Sequence, residues 1–178
     1  MRTYIALLRG INVGGHKKVP MNVLKELFEE QGFQQVQTYI QSGNVIFKSS
    51  EKANTLEEII KKSIQDYFGF EVSVIVKTPD ELQTILKDCP FSNDQKENSF
   101  FVVLNKIPDA ALIEEAQQIS YENEEIVIKN SALYFYCAAG YARTKFNMNT
   151  FERKLQVIGT SRNYKTMIKL VSLASEID

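Results

Sequence analysis

Apolar and polar positions in the first 77 residues alternate as in strands in some segments, and recur as in amphipathic helices in others. The alternating segments predict strands over residues 3–8, 36–40, 45–48 and 71–77. The helical segments predict one helix over residues 21–31 and a second that opens on a Thr55–Glu58 capping box and ends at Gly69. The resulting order, β-α-β-β-α-β, is that of the ferredoxin-like fold.

The second half of the chain predicts a partial repeat of this order. Here Thr78 and Glu81 form a capping box that opens a helix, and residues 92–98 form a polar loop. The remaining pattern predicts a strand at 99–104, a helix at 109–119, a hairpin at 125–138, and helices at 149–155 and 164–174. We therefore predict an α+β protein with two ferredoxin-like (βαββαβ-type) subdomains, antiparallel sheets and extra C-terminal helices. The expected division is 1–78 and 79–178.

Composition and the N-terminal pattern restrict the class of protein. A chain of 178 residues with 44% hydrophobic and 24% charged residues is typical of one ordinary globular domain or two small ones. No apolar run approaches the roughly 18 residues of a membrane span, and the first residues enter a strand pattern without a signal-peptide core. We expect a cytoplasmic protein with no membrane partner.

Charge is distributed unevenly, although the net charge is only −1. Residues 140–169 carry seven basic side chains against one glutamate, a local charge of +6, and residues 109–128 carry six acidic side chains and no basic one. Such segregation predicts either a basic face that binds nucleic acid or ordinary solvated helix faces. Cys89, Cys137 and the one histidine do not form a metal-ligand pattern, so no metal site and no cofactor is predicted.

The segment after the first predicted strand, residues 9–18 (RGINVGGHKK), is the best candidate for binding chemistry. Its three glycines free the backbone to turn successive N–H groups toward one anion. Arg9 and Lys17 would neutralise the charge of that anion, and Asn12 would orient it. The alternative interpretation is a structural turn.

Known phosphate loops do not fit this segment. Gly10 and Gly15 have the spacing of a P-loop, but His16 stands where the P-loop lysine belongs, and Pro20 separates the segment from the next helix. The dinucleotide fingerprint G-x-G-x-x-G is absent from the sequence. A P-loop NTPase and a Rossmann dinucleotide site are therefore not predicted.

Two further polar segments are candidates for the same site. The hairpin tip at 41–44 offers neutral donors, and the predicted helix start at 160–166 offers a basic side chain beside unpaired N–H groups. The alternatives are a turn made of turn-forming residues and simple capping by Asn163. The predicted ligand-binding residues are Arg9, Gly10, Asn12, Gly14, Gly15, Lys17, Ser42, Gly43, Asn44, Arg162 and Asn163.

Three motifs carry a family resemblance. The runs RGINVGG at 9–15, KVPM at 18–21 and TYIQSGNV at 38–45, together with the segment 160–173, resemble the bacterial family known as domain of unknown function 1697. The resemblance covers essentially the whole chain. It implies ferredoxin-like α+β subdomains and no established activity.

From the residues, we predict a protein that binds a phosphate-bearing ligand in a cleft: a nucleotide, a phosphorylated metabolite or a nucleic-acid backbone. One alternative is an enzyme that uses this cleft for phosphoryl or glycosyl chemistry, although no general base is evident in the sequence. The other alternative is a protein–protein interaction module, which a large exposed apolar patch would indicate. The ligand, the oligomeric state and any reaction stay open.

Overall fold

The structure, a computed structural model, describes residues 1–177 and shows an α+β protein. Its elements are β1 (Arg2–Leu8), α1 (Met21–Glu30), β2 (Gln34–Tyr39), β3 (Asn44–Ser49), α2 (Ala53–Phe68), β4 (Val74–Lys77), α3 (Pro79–Lys87), α4 (Asn93–Lys96), β5 (Ser99–Leu104), α5 (Ala110–Ala116), β6 (Glu124–Lys129), β7 (Ala132–Cys137), α6 (Met148–Leu155), β8 (Gly159–Asn163) and α7 (Tyr164–Glu176). Among these residues, no helix combines the length and apolar character that crossing a membrane requires.

The chain divides into two compact units. One contains residues 1–83 and the stretch from 169 onward, and the other contains residues 84–168. The dividing points fall inside α3 and α7. Each unit contains one four-stranded antiparallel sheet.

The sheet of the first unit has the strand order β2-β3-β1-β4. Strand β1 lies inside this sheet because it pairs with β3 on one edge and with β4 on the other. Its residues 3–8 are all buried. Alternate β1 residues Tyr4, Ala6 and Leu8 share a core cluster with the apolar faces of α1 and α2. This burial accounts for the strongly apolar first strand.

The sheet of the second unit has the strand order β6-β7-β5-β8. Val102 and Leu104 of β5 share its core cluster with residues from β7, α5 and α6. Phe146 stacks on Phe135 and Phe151, with ring centroids 4.6 and 5.1 Å apart. The stacking ties the segment before α6 to the core.

Three local predictions were wrong. The first concerns residues 159–163, which form strand β8 on β5, so the second unit has the full order β-α-β-β-α-β followed by α7. The sequence GTSRN lacks the apolar alternation that identifies strands, because β8 is a short edge strand with one neighbour.

The other two errors concern helix boundaries. Residues 93–96 form the short helix α4 instead of a loop, because Ser92 and Gln95 make a reciprocal capping box. Helix α2 begins at Ala53, before the predicted Thr55–Glu58 box. The Thr78–Glu81 box is confirmed, since Glu81 N donates to Thr78 Oγ1 and Thr78 N donates to Glu81 Oε2.

Gly43 generates a prediction about stability. Its φ is +80°, and a Cβ there would lie 2.8 Å from Leu8 Cβ and 2.9 Å from Ile11 Cδ1. Gly69, which ends α2, has nearly the same φ of +77° but nothing within 4 Å of a Cβ. Gly69→Ala should cost about 1–2 kcal/mol of backbone strain, whereas Gly43→Ala should cost that strain plus about 1–3 kcal/mol for overpacking. Urea unfolding of both variants measures the difference, and equal losses would contradict the packing account.

Candidate functional site

A cleft of about 610 Å³ opens in the first unit. Three segments form its walls: the residues that follow β1, the middle of α2 (58–65), and the approach to β4. The lining residues are Arg9, Gly10, Lys17, Glu58, Lys61, Lys62, Gln65, Glu71, Val72 and Ser73.

The pairing of β1 with β4 brings these segments together. The two strands are antiparallel, so the end of β1 lies beside the start of β4. Arg9 N donates a hydrogen bond of 3.0 Å to Ser73 O, which extends this pairing beyond the strand ends. On α2, Lys61 and Gln65 are one helical turn apart and therefore lie on the same face.

The cleft has an excess of positive charge. Four lining residues are basic and two are acidic, which gives a local charge of +2. Lys61 Nζ lies 2.9 Å from Glu58 Oε1, and Lys62 forms an ion pair with Asp66. The Lys62–Asp66 pair is largely exposed, and in the Lys61–Glu58 pair Glu58 is exposed and Lys61 is partly buried. Because exposed ion pairs are weak, an incoming anion can compete for both ammonium groups.

Lys17 occupies a defined position at the rim of the cleft. Its Nζ donates a 2.7 Å hydrogen bond to Glu71 O and lies 5.9 Å from the centroid of the Phe70 ring. The backbone carbonyl accepts from the ammonium without neutralising its charge, and the ring face favours a cation. These contacts hold the Lys17 side chain at the rim of the cleft and leave its positive charge in place.

The glycine-rich segment forms a tight hairpin. Asn12 N donates to Lys17 O at 3.1 Å, and His16 N donates to Val13 O at 3.0 Å. The two residues between Val13 and His16, Gly14 and Gly15, have φ of +56° and +78°. Positive φ at both central positions is the requirement of a type I′ turn. Their glycine identity is thus explained by the turn, and their predicted contact with a ligand stays a prediction.

Asn12 joins the glycine-rich segment to the turn at 41–44. Its Nδ2 donates 2.9 Å hydrogen bonds to Val19 O and Gln41 O, and its Oδ1 accepts from Val19 N at 2.8 Å. Within the turn, the buried Asn44 donates through Nδ2 to Tyr39 O and to Ser42 Oγ. Two of the three predicted segments are therefore neighbours: the hydrogen bond from Asn12 to Gln41 O joins them, and the other bonds brace each segment internally.

The third predicted segment belongs to the second unit. Arg162 on β8 is buried, and its Nη1 donates 2.8 Å hydrogen bonds to Thr160 Oγ1 and Ser161 O. Burial lowers the pKa of Arg162 to about 10, so the guanidinium is still charged at neutral pH. Asn163 caps α7, since Thr166 N donates to Asn163 Oδ1 at 2.8 Å.

Glu57, next to the lining residue Glu58 on α2, faces the outer edge of β4. Val76 N donates a 2.9 Å hydrogen bond to Glu57 Oε1. Burial raises the pKa of Glu57, and the Val76 hydrogen bond and the charges of Lys61 and Lys77 offset part of that rise.

The motif analysis missed Lys61, Lys62, Glu58 and Glu71. These residues belong to no motif, and only topology connects them with Arg9. The predicted β-α-β-β-α-β order indicated this connection, because an antiparallel last strand must begin where the first strand ends.

The Asn12 network predicts a structural role for that side chain. Asn12→Ala should lower the free energy of unfolding by about 1–3 kcal/mol without any ligand, because it removes three hydrogen bonds to backbone groups of Val19 and Gln41. His16→Ala, at an exposed position of the same hairpin, is the matched control and should change it by less than about 0.5 kcal/mol. Urea denaturation measures both, and equal effects would contradict the network.

The raised pKa of Glu57 predicts a pH dependence of stability. The folded state holds the proton more tightly than the unfolded state, so this residue's contribution declines as pH rises from the usual glutamate value of 4.5 through the raised pKa. Glu57→Gln keeps an acceptor for Val76 N and removes the charge, so its stability relative to wild type should increase over that range. Glu57→Ala should show the same trend at lower stability throughout. A pH-independent difference between Glu57→Gln and wild type in urea unfolding would contradict the assignment.

Comparison with known proteins identifies the fold and the family. No curated protein matches the chain. A solved structure, that of "conserved bacterial protein SP0830 from Streptococcus pneumoniae", has the same fold, with a TM-score of 0.80 and 23% sequence identity over 98% of this chain and 99% of that chain. The family model described as "Protein of unknown function (DUF1697)" matches residues 1–134, well over half of the chain. This protein therefore belongs to the DUF1697 family of proteins of unknown function.

Proposed function

We propose that this protein binds a phosphate-bearing ligand in the cleft at the end of β1. One observation carries the proposal: basic side chains from two separate segments of the chain line a single concave site. Arg9 and Lys17 follow β1, and Lys61 and Lys62 lie on α2. Lysines that are scattered over a surface stay apart because they repel one another. Basic side chains that converge on one site favour the binding of an anion between them.

The four basic residues supply complementary chemistry. The guanidinium of Arg9 offers a planar pair of donors that matches two phosphate oxygens, and the lysines act as point charges. Gly10 lines the same cleft and has no side chain to keep a ligand from the backbone. The cleft volume of about 610 Å³ is within the range of small-molecule sites.

The proposal divides the predicted site residues of the first unit into two groups. Arg9, Gly10 and Lys17 contact the ligand, together with Lys61 and Lys62. The other predicted residues of the first unit support the segment that carries Arg9 and Lys17. Their support comes from the hydrogen bonds of Asn12 and Asn44 and from the close packing at Gly43.

We also propose that each unit is a ferredoxin-like fold. The order of elements in each unit and the strand orders β2-β3-β1-β4 and β6-β7-β5-β8 support this assignment. We further propose that the protein is cytoplasmic and that its two subdomains divide near residue 78.

Anion-dependent thermal melts test the binding proposal. Phosphate and pyrophosphate, compared with chloride at matched ionic strength, should raise the melting temperature of the wild type, because ligand at ten times its Kd adds about 1.4 kcal/mol to the stability of the folded state. Arg9→Ala and Lys62→Ala should melt near the wild-type temperature in chloride and lose most of the anion effect.

Lys25→Ala is the matched control for Lys62→Ala. Both lysines form an i,i+4 ion pair on an exposed helix face, Lys25 with Glu29 on α1 and Lys62 with Asp66 on α2, and Lys25 lies outside the cleft lining. The control should keep the full anion effect. A wild type that phosphate does not stabilise, or equal losses in Lys25→Ala and Lys62→Ala, would refute the proposed function.

A further inference from the structure

We propose that the ligand of this cleft is a phosphate monoester of a small polyhydroxylated molecule, such as a sugar or polyol phosphate, and not a nucleotide or a nucleic acid. This inference rests on the proposed function and concerns the part of the ligand beyond its phosphate. Three properties of the lining lead to it: the lack of a surface for a base, the presence of carboxylates among the cations, and the local charge.

The cleft lining offers no aromatic surface on which a nucleobase could stack. Among the described residues that line it, none is aromatic, and the one aliphatic side chain, Val72, is only 4% exposed. Phe70 lies nearby, but its ring contacts the Lys17 ammonium and stacks with Phe68 at 5.7 Å between centroids. Nucleotide and single-strand sites normally hold the base on an aromatic face or in an apolar slot.

Acceptors for hydroxyl groups line the cleft beside the cations. Among the lining residues, Glu58 and Glu71 carry carboxylates, Gln65 carries an amide and Ser73 carries a hydroxyl. The Glu58 side chain is 75% exposed, so a ligand can reach it although it pairs with Lys61. A carboxylate repels bare phosphate but accepts strong hydrogen bonds from hydroxyl groups. Carboxylates next to converging cations therefore suit a ligand with an anionic end and a hydroxyl-bearing body.

Local charge favours a monoester over a diester. The lining sums to +2, and a phosphate monoester carries a charge of about −1.5 to −2 at neutral pH. Each phosphodiester of a nucleic acid carries only one negative charge. The volume of about 610 Å³ also exceeds the need of a phosphate ion alone and leaves room for an attached molecule of a few carbons.

Calorimetric titration at about pH 7.5, where a monoester is mostly dianionic, tests the inference. The probes are inorganic phosphate, ribose 5-phosphate, free ribose, AMP and a short single-stranded RNA. Ribose 5-phosphate should bind about tenfold more tightly than inorganic phosphate, the effect of one or two added hydrogen bonds. AMP should bind no more tightly than ribose 5-phosphate, and free ribose and RNA should bind far more weakly.

Charge-neutral variants of the carboxylates separate the two ends of the ligand. Glu71→Gln and Glu58→Gln should weaken ribose 5-phosphate binding severalfold and leave inorganic phosphate binding unchanged or tighter, because they remove an acceptor and a repulsive charge. Lys62→Ala should weaken both probes. Glu29→Gln, at an exposed glutamate outside the lining, is the control and should bind both probes as the wild type does.

The outcomes distinguish this inference from the proposed function. Equal affinities for inorganic phosphate and ribose 5-phosphate would overturn the inference and leave phosphate binding intact, as would tightest binding of AMP or RNA. Parallel effects of Glu71→Gln on both probes would also overturn it. Failure of every phosphate compound to bind the wild type would overturn the proposed function itself.

Discussion

Strand β1 pairs on both of its edges, and the hydrogen bond from Arg9 N to Ser73 O continues the pairing with β4 past the end of the strand. This backbone contact fixes the end of β1 against the start of β4. Two of the three walls of the cleft depend on it, because Arg9 directly follows the paired segment and Glu71, Val72 and Ser73 precede β4. A buried strand held from both sides moves little, so the walls of the cleft start from rigid backbone.

The glycine-rich hairpin is held by a second set of contacts. Asn12 fastens it to Val19 and to the turn before β3, and Gly43 lets that turn pack directly on Leu8 and Ile11. In our proposal the side chain of Asn12 contacts no ligand, but it is as important to the site as the side chains that do. Motif residues with polar side chains are easily interpreted as ligand-binding residues, although their hydrogen bonds serve the backbone.

Sequence reasoning was most accurate where local chemistry decides structure. Strand β1 was predicted from its apolar alternation, and the helix that follows the Thr78–Glu81 box was predicted from the box. The prediction was wrong at β8, where five mostly polar residues form a strand. They do so because they pair with the edge of β5, a tertiary effect that no local sequence pattern shows. The cleft shows the same limit, since Lys61 and Lys62 join Arg9 only through the fold.

The position of Glu57 affects the tendency of this protein to self-associate in concentrated solution. The outer edge of β4 is the end of the first sheet, where an unpaired N–H could recruit a strand from another molecule. The carboxylate of Glu57 already accepts from Val76 N and brings a polar group to that edge. A neighbouring chain would have to displace this bond before it could pair with Val76, so the side chain of Glu57 opposes self-association through this edge of the sheet.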